Sequence, residues 1–130
     1  MATNQGTIQG TAEAVPAQTT TTISDRIQGA RSDEEFRSFM FANRESTTVV
    51  EYGSTWCAHC QEMFPHFQRL AAEYPQHKYL VAQVDYMDKE LRGIKYSPTF
   101  AVFKQGRKID QFYGAEPQQL QDHIWLHSDK

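Results

Sequence analysis

Cys57 and Cys60 are the two cysteines of the chain, and they stand three residues apart in Trp56-Cys57-Ala58-His59-Cys60. A β-branched and aromatic run precedes them and a helical pattern follows, the context in which a C-x-x-C pair has redox meaning. Cysteines at i and i+3 on a helical turn lie close enough to bond with small adjustment. Cys57 falls at the helix start, where unpaired N–H groups and the positive dipole end favour a thiolate. Cys60 falls one turn in, better shielded, so Cys57 is expected to attack and Cys60 to resolve. His59 lies between them, and its imidazolium would favour the Cys57 thiolate over the disulfide, making the pair a better oxidant. The plainer readings are an exposed loop histidine and two structural thiols.

Zinc is the main rival, with Cys57 and Cys60 joined by two of His59, His66 and His77. The second pair lacks ligand spacing, so no metal is expected. Gln61 rather than His follows Cys60, which speaks against covalent haem. The redox-active Cys57–Cys60 disulfide is thus expected to need no cofactor. A net charge of -3 over 130 residues argues against electrostatic binding of nucleic acid. No apolar run approaches the ~18–20 residues that cross a bilayer, so no membrane partner is expected. The first residues show no secretory signal pattern.

The elements around the pair alternate. Residues 1–22 are polar and hold one charged side chain, Glu13, and read as a flexible tail before a domain over residues 23–130. Thr20 to Ile27 is a weak first β segment. Ser32 and Glu35 form a capping-box pattern ahead of Phe36, Phe39 and Met40. Thr47 to Tyr52 reads as a strand. Ala58 to about Tyr74 reads as a helix bent at Pro65. Lys78 to Asp85 is a strand, Asp88 to Ile94 a short helix and Thr99 to Lys104 a buried strand. Gln105-Gly106-Arg107 turns into a strand from Lys108 to Tyr113. Glu116 to His127 closes as a helix, with Leu120, Ile124 and Leu126 or His127 on its inner face. His123 and His127 are expected at the surface or as dipole partners, and Trp125 in packing. This order implies an α/β fold, a mixed central sheet with helices on both faces.

From about Asp33 to Lys130 the chain resembles the thioredoxin superfamily. The resemblance rests on the Val49-to-Cys60 run, Phe64-Pro65, Ser97-Pro98-Thr99, Gly106 and Gly114. The closing Trp125-Leu126-His127-Ser128 is similar to a divergent thioredoxin-like subgroup of plants and green algae. The resemblance implies the thioredoxin fold and a thiol–disulfide oxidoreductase acting on disulfides or dithiols of proteins. It places Pro98 as a cis-proline facing the cysteines and Ser97 as a backbone partner for an extended substrate segment. Trp56, Ala58 and the Ser97-Pro98 turn would then form an apolar docking surface beside Cys57, with His59 at its edge. Glu51 falls at the family's buried acid, placed to take the proton of the resolving Cys60 thiol.

Three departures from ordinary thioredoxin stand out. Ala58-His59 replaces the usual Gly-Pro, Gly53 stands where the family has its first tryptophan, and Val81 replaces a lysine. With Glu51 they tilt the site toward the protein-disulfide-isomerase type. The alternative reading is a non-catalytic interaction module on the same fold. A reductase or glutathione is the expected reductant, the chain is expected to be a monomer, and the expected compartment is cytoplasmic, with plastid stroma as the alternative.

Overall fold

A computed structural model describes residues 19–128. Six strands form one sheet: β1 Thr21–Ser24, β2 Ile27–Ala30, β3 Thr47–Gly53, β4 Lys78–Gln83, β5 Thr99–Lys104 and β6 Arg107–Tyr113. Three helices accompany them: α1 Asp33–Ala42, α2 Ala58–Glu73 and α3 Pro117–Leu126. The strand order is β1-β2-β4-β3-β5-β6. The β2–β4 and β4–β3 pairs are parallel, and β1–β2, β3–β5 and β5–β6 are antiparallel. The mixed sheet is the expected one.

Alternation along the strands divides the interior in two. Val49, Tyr79 and Phe100 face Met63, Phe67 and Leu70 of α2 and Leu120 and Ile124 of α3. Val50, Leu80 and Ala101 face Phe36 and Phe39 of α1. The Phe67 ring meets Tyr79 at 5.6 Å and Phe100 at 5.9 Å between centroids, which fixes α2 over the middle of the sheet. By the same alternation Glu51, two residues beyond Val49, points to the α2 face.

The caps explain where the helices begin. Ser32 Oγ accepts the Glu35 N–H at 3.0 Å, as the capping-box pattern predicts. The Glu35 carboxylate accepts from the Arg31 N–H at 2.8 Å, one residue earlier than in the reciprocal box. Glu116 is the N-cap of α3 and Pro117 its first helical residue, the position where a missing N–H costs nothing. Gln105 and Gly106 both have positive φ, 54° and 76°, the primed-turn geometry that joins β5 to β6.

Several expectations need correction. The ordered sheet starts at Thr21, inside the stretch read as tail; residues 1–18 lie outside those described. The weak segment from Thr20 to Ile27 is a hairpin of two strands rather than one. The strand begun at Lys78 ends at Gln83, and Val84–Tyr86 turns as a 3-10 helix. The short helix expected over Asp88 to Ile94 is a single 3-10 turn, Lys89–Leu91. Asp33 explains this, because its carboxylate accepts the backbone N–H groups of Asp88, Lys89 and Glu90, each at 3.1 Å. That cradle holds the segment against the start of α1 in place of an α-helical ladder, and Gly93 at φ 81° follows it. Leu126 and Trp125 are exposed, so the inner face of α3 rests on Leu120 and Ile124.

Candidate active site

β3 delivers the chain to the end of the sheet, and α2 starts five residues later. Between them Cys57 is the N-cap residue of α2 in extended conformation, and its Sγ accepts the Cys60 N–H at 3.1 Å. A sulfur in this place takes the role that a Ser or Asp oxygen plays at other helix starts. It receives the N–H and positive dipole that the sequence assigned to it. Cys57 and Cys60 are joined as a disulfide, with Cα atoms 5.2 Å apart. Cys57 is half-buried and Cys60 buried, so the attacking and resolving sulfurs differ in access as expected.

Glu51 lies beneath this turn and is 2 % exposed. Burial pushes its carboxyl up to about 8, because the charged form loses solvation without gaining a cation. Its Oε1 is closed off and has no hydrogen-bond partner among the described residues. A Cβ placed on Gly53 would lie 2.8 Å from Cys60 Sγ and 3.8 Å from Glu51 Oε2. Sulfur and carboxyl therefore flank the same bare glycine. The resemblance marked Gly53 only as a lost tryptophan; this close approach is what sequence reasoning missed, and a glycine ending a β-branched strand was the signal.

The start of β5 lies beside the end of β3 that leads to the cysteines, with Thr99 opposite Tyr52. The Ser97–Pro98 peptide is cis, Pro98 is buried and Ser97 exposed. Pro98 C=O accepts the Gly114 N–H at 3.1 Å, and Gly114 has φ 122°, a conformation that favours glycine. Trp56 is 87 % exposed, and Ala58 beside it is exposed as well. Tyr96 and Tyr113, not chosen from sequence as site residues, meet with tilted rings 4.9 Å apart between centroids and are both exposed.

The histidines take other partners. His59 Nδ1 faces Glu62 Oε1 at 3.2 Å and the ring is exposed, so the charge expected to act on Cys57 has a carboxylate of its own. His77 is buried against Ser128 Oγ at 2.8 Å. His123 Nδ1 and His127 Nε2, in the last turn and at the C-cap of α3, converge on Asp110 Oδ2 at 2.6 and 2.9 Å, a partner the sequence did not indicate.

Known proteins resemble this arrangement in sequence and in shape. Residues 26–125 match the family model described as Thioredoxin. Thioredoxin-like 3-3 of Arabidopsis thaliana is 34% identical over 104 residues, covering 78% of this chain and 82% of that protein. The thioredoxin of Malassezia sympodialis is 34% identical over 107 residues, 78% of this chain and 99% of its own. Among solved structures, a thioredoxin from Nicotiana alata superposes with a TM-score of 0.75 at 23% identity, over 85% of this chain and 100% of that one.

Proposed function

The chain belongs to the thioredoxin family and is a thiol–disulfide oxidoreductase acting on protein disulfides; from that premise we propose how its residues divide the work. The Cys57 thiolate attacks one sulfur of a substrate disulfide. The substrate S–S bond breaks, a Cys57–substrate bond forms, and the other substrate sulfur leaves as thiolate. Cys60 gives its proton to the Glu51 carboxylate and attacks Cys57 Sγ. The substrate leaves reduced by two electrons and Cys57–Cys60 is left oxidised. A reductase or glutathione restores the dithiol, and no further redox group enters this reading. Run backwards, the same steps oxidise a substrate dithiol.

The observation that carries the assignment is Cys57 Sγ at the N-cap of α2, accepting the Cys60 N–H. It supports the asymmetry between the sulfurs, because Cys57 gains the helix end and Cys60 does not. The changes at Ala58-His59, Gly53 and Val81, with Glu in place of Asp at position 51, support an isomerase-like rather than strongly reducing pair. Cys57→Ser is expected to abolish reduction of insulin disulfides, whereas Cys60→Ser accumulates a mixed disulfide with the substrate. Equal residual turnover in the two variants would overturn the assignment. A reduction potential above that of thioredoxin, ~-270 mV, is the expected sign of the isomerase-like tilt.

A further inference from the structure

Gln61 reaches back to the active-site loop with two hydrogen bonds that fall on either side of Trp56. Its backbone N–H donates to Cys57 C=O at 3.1 Å, the ordinary first rung of the α2 ladder. Its side-chain Nε2–H donates to Thr55 C=O at 2.7 Å, which lies outside that ladder. The Cys57 N–H in turn donates to Ser54 C=O at 3.3 Å. The side-chain bond joins residues 55 and 61, so it encloses the turn that the Cys57–Cys60 disulfide closes. Neither partner in this clamp belongs to a cysteine, and breaking the S–S bond leaves both chemically unchanged.

We propose that Gln61 is a positioning residue for disulfide exchange, its side chain holding Thr55, and through it the Cys57 segment, against the start of α2 when the pair is reduced. The inference rests on Cys57 and Cys60 being the exchanging pair. A dithiol closes more readily when its two sulfurs are already held near each other, because less chain freedom is lost on closing. Clamp and disulfide restrain the same turn, so each favours the other, and the coupling is reciprocal. A hydrogen bond that only steadied the fold would stabilise dithiol and disulfide alike and leave the reduction potential where it was. Thr55 and Gln61 are both exposed, so the clamp contributes no more than one net hydrogen bond.

Gln61→Met keeps the length of the side chain and removes the donor, and Gln61→Ala removes both. Each full chain is equilibrated with glutathione and glutathione disulfide at fixed pH, and the Cys57–Cys60 disulfide is quantified by thiol alkylation and mass. In this exchange two glutathione thiols are oxidised to one glutathione disulfide, and the pair takes up two electrons and two protons as the Cys57 and Cys60 thiols. Both variants are expected to shift the equilibrium about fivefold towards the dithiol, the worth of one net hydrogen bond. That is a rise in potential of about 20 mV, at about 30 mV for each factor of ten. Closure of Cys60 on a Cys57 mixed disulfide is expected to slow by a similar factor. An unchanged potential in a folded Gln61→Met chain would overturn the proposal, as would opposite shifts in the two variants. A parent chain whose cysteines do not exchange with glutathione would overturn the reading of the pair itself, and the role of the clamp with it.

Discussion

Glu51 is held in a state that makes its two effects separable. Its folded value of about 8 lies far above the 4.5 of an ordinary glutamate, so the folded chain keeps a proton that the unfolded chain releases. Stability therefore falls as pH rises from about 4.5 towards about 8 and levels off above that. Glu51→Leu removes this linkage and the unpaired Oε1. It should stabilise the oxidised protein by about 2 kcal/mol at pH 8, with the gain shrinking towards pH 4.5, as read from urea midpoints at several pH values. The same variant should slow the resolving step about a hundredfold, the low end for a general base. It should also erase the rise in that step's rate as pH passes through about 8, measured by single-turnover release of a mixed disulfide. A gain in stability without loss of rate would leave Glu51 a buried burden with no part in catalysis. At this scale the sequence shows Cys57 and Cys60 plainly, because their spacing and neighbours are local, whereas the cis peptide before Pro98 is implied only by the family resemblance. It does not show that His59 pairs with Glu62, since two exposed groups one turn apart have many rotamers to choose from.

The elements that carry the site are held at their ends by polar clamps as well as by core packing. α3 is the clearest case. His123 and His127 sit one turn apart and both reach Asp110 on β6, while Ser128 Oγ donates to Ile124 C=O at 2.7 Å and receives His77. Burial alone would raise the Asp110 carboxyl, but hydrogen bonds from the two histidines and their charge outweigh it and hold it below the usual 3.8. A depressed acid stabilises the fold above its unfolded value and loses that contribution as pH falls through the folded one. Asp110→Ala should therefore cost about 1–2 kcal/mol near neutral pH. The difference from the parent chain should begin to shrink as pH falls below the usual carboxylate value and vanish only once pH has passed through the depressed Asp110 value, and hydrogen exchange should locate the loss in α3. Uniform loss of protection over the whole sheet would mean that Asp110 acts elsewhere. The strands and the three helices are legible in sequence because apolar period and capping residues are local signals. The Asp33 cradle is not legible, since its partners lie 55 to 57 residues away and nothing in Asp88 to Ile94 announces them. The first hairpin is hidden for a related reason: Asp25 and Arg26 form its turn without the glycine that usually marks one.

For the whole molecule, the redox pair and the surface that presents substrates are brought to the same end of the sheet by topology. Antiparallel pairing sets Tyr52 of β3 opposite Thr99 of β5, and Thr99 opposite Tyr113 of β6. The residues that follow β3 and those that precede β5 therefore meet at one edge. Trp56 directly precedes Cys57, and Tyr96, two residues before Pro98 in the chain, meets the Tyr113 ring. Large exposed aromatics are costly to leave in water and are the residue types that anchor protein partners. On the proposed reading a protein substrate would span this whole edge, whereas a small disulfide would touch only the sulfur. Trp56→Ala and Tyr113→Ala should therefore each raise KM for insulin about tenfold, the loss of one interface anchor, and leave turnover of a small aromatic disulfide within about twofold. The double variant tests whether the surface acts as one. If one extended segment contacts both side chains, the combined loss should fall short of the product of the two single losses, because the first substitution already frees the segment that the second would have held. If the losses multiply, Trp56 and Tyr113 meet different parts of the substrate, and the docking edge is two independent patches on either side of Cys57.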